Sequence, residues 1–112
     1  MNEEFDIREF ERYLSDGWSL TLNYYTLHGE RGFWGYLWDE TDSIQTKYGL
    51  VERVNADTDY DEGREERTMV VKIGDRYFQK TGYYDSWDST YWDGRFVEVK
   101  PVQKTITDYV II

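Results

Sequence analysis

The sequence predicts an α+β domain, with one N-terminal helix packed on a twisted antiparallel β-sheet of about five to seven strands arranged as a meander or small barrel. Three observations predict it. Ile7, Phe10 and Leu14 recur at helical spacing and stop at Gly17. From Trp18 the apolar period shortens to two. Further on, two β-rich runs flank Gly74-Asp75, a two-residue hairpin turn. The 112 residues contain no internal repeat and no Pro/Ser/Gly-rich linker, so residues 1–112 read as one domain. Five Phe, five Trp and eleven Tyr supply the core that a disordered acidic chain lacks.

The helix is expected over residues 3–16. Asn2 can cap it, acids fill its first turn, and Glu4 and Arg8 stand at i, i+4 for pairing, while Phe5 falls off the apolar stripe. In "WSLTLNYYTL" (18–27), Trp18, Leu20, Leu22 and Tyr24 alternate with polar residues as in a half-buried strand. "HGERG" (28–32) then reads as a turn and "FWGYLW" (33–38) as the returning strand. "KYGLVERV" (47–54) is a third strand. "NADTDYDEGREE" (55–66), half acidic and without an apolar period, reads as an exposed loop. "TMVVKI" and "RYFQKTG" form the hairpin around Gly74-Asp75. "RFVEVK" (95–100) and "QKTITDYVII" (103–112) add two strands, with Pro101 marking an edge or a break.

Between predicted strands lies "YYDSWDSTYWDG" (83–94), with five aromatics and three aspartates in twelve residues. One reading is structural: rings pack on the sheet, and "WDG" closes a turn with Gly94 at positive φ. Another is a sugar platform in which Tyr83, Tyr84, Trp87, Tyr91 and Trp92 stack on pyranose faces and Asp85 or Asp88 binds hydroxyls. A third is calcium held by the clustered carboxylates. The segment 74–109, with its "KTG-Y" element, its "WDG-F-EV" turn and strand and its closing "PV-KT-T-Y", resembles small proteins of tailed bacteriophages and prophages. The resemblance covers about a third of the chain. It implies a phage origin and transfers no catalytic or binding residue.

Charge narrows the chemistry. The net charge is −10, and residues 1–66 carry all of the excess, with 17 acids against 6 bases. Such a field repels nucleic acid and anionic lipid and attracts a basic surface. No apolar run is long enough to span a membrane, and the acidic N-terminus lacks the pattern of a signal peptide, so the host cytoplasm is the expected location. Asp57, Asp59 and Asp61 open like an EF-hand loop. Glu62, however, occupies the glycine position and Thr68 the position of the bidentate Glu, so a high-affinity calcium site is excluded. With no cysteine and His28 alone, no zinc set or histidine relay can form. No nucleotide or nucleophile motif is present, and the chain reads as a non-enzyme without cofactor or metal.

Two functions from different classes follow. In the first, the protein is an intracellular phage-encoded inhibitor whose carboxylates stand in for phosphates on a basic groove of a host nucleic-acid-binding or defence protein. Its contact residues are Asp57, Asp59, Asp61, Glu62, Glu65 and Glu66, with Glu3, Glu4 and Glu11 as a second patch. The alternative is a virion-associated or carbohydrate-binding β-module that uses the aromatic tract. A homodimer built on surplus aromatics is the plainer third expectation.

Overall fold

The computed structural model describes residues 5–61, 64–85, 89–102 and 108–112. It is the expected α+β fold: helices packed on a curled, mainly antiparallel sheet. Helix α1 (Ile7–Asp16) begins later than the sequence pattern implies because Asp6 is its cap. The Asp6 carboxylate accepts from the backbone N–H groups of Arg8 (2.8 Å) and Glu9 (3.2 Å), satisfying two donors that the first turn leaves without partners. Phe5, just before the cap, packs on Phe10 with ring centroids 5.2 Å apart, a hydrophobic staple. Phe5 misses the helical stripe because it lies outside the helix, and it still joins the core. The expected cap, Asn2, lies outside the described residues.

The strand expected at 18–27 is instead a small hairpin, β1 (Ser19–Thr21) and β2 (Thr26–His28), closed by the Leu22 N–H donating to the Tyr25 carbonyl. The larger correction follows it. "FWGYLW" is not a strand but part of helix α2 (Gly29–Asp39). Its buried residues Phe33, Trp34 and Leu37 fall at i, i+1 and i+4, one helical face, and no β-branched residue opposes the helix. Gly29, at φ +75°, turns the chain from β2 into α2.

Strands β3 (Ser43–Thr46) and β4 (Gly49–Asp61) form a hairpin that starts the main sheet, and β5 (Arg64–Ile73) and β6 (Arg76–Asp85) continue it around Gly74-Asp75 as expected. Gly74 sits at φ +64°, which the turn requires. Strand order is β3-β4-β5-β6. The far side of β6 is shared by β7 (Ser89–Tyr91) near its end and β8 (Phe96–Val99) near its start. Residues 55–61, expected as a loop, extend β4 beyond a bulge at Arg53/Asn55 and pair with 64–70. Among the residues expected as a last strand, 103–107 lie outside the described residues, and 108–112 are exposed and in no strand.

Pairing register sorts the side chains. On the inner face β5 places Met69, Val71 and Ile73, all buried, opposite Lys80, Phe78 and Arg76 of β6. Both helices cover this end with Phe10, Leu14, Phe33, Trp34 and Leu37. Phe10, Phe78 and Phe96 stack at 5.4–5.7 Å across the helix–sheet junction.

Residues 92–94 of the tract form a packed corner with 80–82, while 86–88 lie outside the described residues. "KTG" (80–82) and "WDG" (92–94) grip one another. The Lys80 Nζ donates to the Gly94 carbonyl at 2.9 Å, the Gly94 N–H donates to the Thr81 carbonyl at 3.1 Å, and the Thr81 N–H donates to the Arg95 carbonyl at 3.2 Å. A Cβ on Gly82 would stand 2.6 Å from Trp92 Cε3, and one on Gly94 would stand 2.6 Å from the Thr81 carbonyl oxygen. Gly94 was expected at positive φ. It does not adopt one; it is needed for close approach of two backbones.

Candidate interaction surface

β4, β5 and β6 run on past the helices, and the extension they form carries most of the residues singled out in the sequence. Every residue from Val54 to Tyr60 is exposed. Alternation fixes where each side chain goes. Asp57 pairs with Thr68 and Asp59 with Glu66, on the outer face of the sheet, away from the helices. The two aspartates also close their own strand edge. Asp57 accepts from the Thr58 N–H at 2.9 Å and Asp59 from the Tyr60 N–H at 2.8 Å. Beyond the residues that β3 covers, these carboxylates occupy amides that a further strand would use.

The inner face of the extension is different. Thr58 pairs with Arg67 and Tyr60 with Glu65, and the register carries on to Gly82 and Tyr84. The Arg67 guanidinium lies 4.4 Å from the Tyr84 ring centroid and 5.4 Å from that of Trp38, and its Nη1 donates to Thr90 Oγ1 at 2.7 Å. Glu65 stands 3.8 Å from the same guanidinium. Tyr60, 74% exposed, projects beside this cluster. A stacked Arg with Tyr and Trp around it is the composition of interface hot spots.

Among the described residues, the expected acids therefore occupy three places rather than the two patches expected. Asp57, Asp59 and Glu66 share the outer face, where Arg64 sits among them, 4.3 Å over the Tyr83 ring. Glu65 is on the inner face against Arg67. Glu11 is half-buried on α1. Burial pushes its carboxyl upward, and the Lys80 ammonium pulls it partly back. Asp61 ends β4 opposite Arg64, and Glu62, Glu3 and Glu4 lie outside the described residues.

The aromatic tract is divided as well. Tyr83 and Tyr91 pair across β6 and β7 on the outer face, and Tyr84 points to the inner face. Trp92 is core at 3% exposure, and Trp87 is outside the described residues. Arg64 covers Tyr83 and Arg31 stands 4.7 Å over Tyr91, so guanidinium groups already lie over those two rings. Among the described residues, Tyr83 and Tyr91 are neighbours on one face, Tyr84 lies on the other, and Trp92 is in the core.

Beneath the helices Lys80 is 2% exposed. Burial lowers its pKa, while Glu30, Glu11 and Asp93 oppose that shift. With its bond to Gly94 it is a satisfied structural cation. Among the described residues no group of three or more His, Cys, Asp or Glu could hold a metal, and no helix is long and apolar enough to cross a membrane. Tyr60 and Arg67 do not stand out in the sequence, because 55–66 reads as a loop rather than as paired strands. The alternation of Asp57, Thr58, Asp59 and Tyr60 was the available signal. No protein-family model, curated protein or solved structure matches the chain.

Proposed function

We propose that the protein acts by protein–protein contact, presenting the β4–β5–β6 extension to a partner with a basic surface. The observation that carries this reading is a strand pair running clear of the core with both ingredients of an interface on it. Acids on the outer face (Asp57, Asp59, Glu66) attract and orient a cationic partner. Tyr60 and Tyr84, beside Arg67 on the inner face, offer apolar area that can be desolvated on contact. Charge alone sets encounter rate and register, and the rings supply affinity. In the setting implied by the resemblance to phage proteins, the partner is a host nucleic-acid-binding or defence protein, with carboxylates standing in for phosphates, and the protein is an anti-restriction- or anti-CRISPR-like inhibitor.

The test is capture from host lysate across a salt series, with wild type beside a triple Asp57→Lys, Asp59→Lys, Glu66→Lys variant. A partner that is retained at low salt, released as salt rises and lost by the triple variant supports the proposal. A partner held equally by both proteins with no salt dependence refutes it.

A further inference from the structure

A second feature is independent of the extension. A cleft of about 490 Å³ runs along the exposed side of α2. Tyr25, Leu27 and His28 of the β1–β2 hairpin line it together with Thr90 and Trp92, and α2 contributes Gly32 and Gly35 as a floor without side chains. The two glycines differ. A Cβ on Gly32 would rest against Leu27 and Trp18 at 3.5–3.6 Å, so that position is packed. A Cβ on Gly35 would meet nothing within 4 Å, and Gly35 does not have positive φ. Glycine in mid-helix is less stable than alanine, and neither packing nor backbone geometry calls for it here. Its effect is to keep the cleft floor open.

The charge along the cleft has a direction. Asp39 and Glu40 line the end where α2 terminates, and the last turn holds no basic residue. Acids at a helix C-terminus add to the negative end of the helix dipole, and Asp42 joins them beside Arg53 in an adjoining pocket, so that end stays net negative. Arg31 lines the other end, stacked over Tyr91 and about 12 Å away along the helix at 1.5 Å per residue. Tyr36 lies between them in the lining and supplies an aromatic ring, a group that attracts cations.

We propose that this cleft receives one arginine side chain of a partner protein, its aliphatic stem lying over Gly35 and its guanidinium between Asp39, Glu40 and Tyr36. The inference rests on the reading that the partner is cationic, and it places the anchor on α2 rather than on the extension. Lysine offers a similar stem and charge, but a planar guanidinium can both stack on Tyr36 and meet a carboxylate with paired donors.

The experiment is an NMR titration of the full chain, read at the Gly35 amide and the Trp92 indole. The probes are N-acetylarginine amide, its uncharged counterpart N-acetylcitrulline amide, and spermidine. N-acetylarginine amide is expected to bind saturably with a Kd of the order of 1 mM, and the citrulline probe at least about tenfold more weakly. Gly35→Leu starts from a Cβ that meets nothing within 4 Å and fills the floor, so it should abolish binding of the arginine probe. Asp39→Asn/Glu40→Gln should weaken it without altering the cleft's shape, and this variant decides the matter if Gly35→Leu fails to fold. The Asp57→Lys, Asp59→Lys, Glu66→Lys variant should bind the probe like wild type, so failure of the extension as a docking surface leaves this result standing. Absence of saturable shifts, equal binding of citrulline, undiminished binding by Gly35→Leu or by the neutralised variant, or tighter binding of spermidine than of the arginine probe would each overturn the proposal.

Discussion

Substituting Gly82 by alanine probes the contact on which the 80–94 corner depends. The added Cβ would lie 2.6 Å from Trp92 Cε3 and 2.8 Å from the Tyr91 carbonyl oxygen, where ordinary contact begins at 3.4 Å. The first of these atoms belongs to a core indole at 3% exposure, held 5.3 Å from Trp38, and the second to backbone fixed by the Tyr83–Tyr91 pairing. Neither is the free end of a flexible side chain. The overlap must therefore be relieved by moving β7 or by displacing the indole. Overpacking of a tight core costs about 1–3 kcal/mol. For a chain of this size that lowers the melting temperature by roughly 4–15 °C. Thermal unfolding followed by circular dichroism and tryptophan fluorescence reads the effect. Trp92→Leu in the Gly82→Ala background removes the ring and should recover part of the loss, giving a non-additive double-mutant cycle. A Gly82→Ala protein that melts within about 1 °C of wild type would refute the close-packed corner.

Glu98 and Arg76 form a two-bond pair at 2.8 Å on each bond, and the Arg76 hydrogen bonds hold the Glu98 carboxyl below its ordinary value of 4.5. A lowered folded-state pKa means stabilisation that is present above 4.5 and lost as pH falls through the folded value. The melting-temperature gap between wild type and Glu98→Gln should accordingly close on acidification, and a gap that persists at pH 2 would contradict the pairing. For Lys80 the slope has the same sign but the opposite origin, because folding penalises the charged form instead of favouring it. Its pKa is lowered by burial, so between the folded value and 10.5 the unfolded chain holds more protons and stability rises with pH. Lys80→Met should flatten that alkaline rise and be neutral or stabilising near neutral pH, within the ~1–4 kcal/mol gain seen when buried ions give way to packed apolar groups. A clear loss of stability would mean that the bond to Gly94 outweighs desolvation.

Where apolar periodicity was unambiguous, sequence and structure agree. The Ile7, Phe10, Leu14 stripe is a helix, and Gly74-Asp75 is a hairpin. Of the segments that diverge, two do so for opposite reasons. In "GERGFWGYLWD", glycines and consecutive aromatics mask a helix that exists because Phe33, Trp34 and Leu37 reach one core together. Tertiary burial overrides low propensity there. In 55–61 strong acidity concealed a strand, because strand propensity tables penalise Asp for lacking a packed neighbour. That strand is specified by its partner: β5 already lies beside it from Val51 outward and continues the ladder to Asp61. The candidate surface was legible as composition, in the acids and tyrosines, but not as geometry. Which face each residue occupies depends on the bulge at Arg53/Asn55 and on the registry to β6, neither of which a single sequence encodes locally.

That registry also explains how a sheet extension with an acidic outer face persists outside the main core. Two strands alone would be marginal. β6 accompanies β4 and β5 as far as Tyr84, and β7 joins through Thr90. At the centre of these strands stands Arg67, between Tyr84 and Trp38 and bonded to Thr90, in a position where an apolar residue would normally sit. A stacked guanidinium tolerates partial exposure and neutralises Glu65 at the same time. The extension is thus held by a polar centre on its inner face. Its outer face carries Asp57 and Asp59 exposed and Glu66 half-buried.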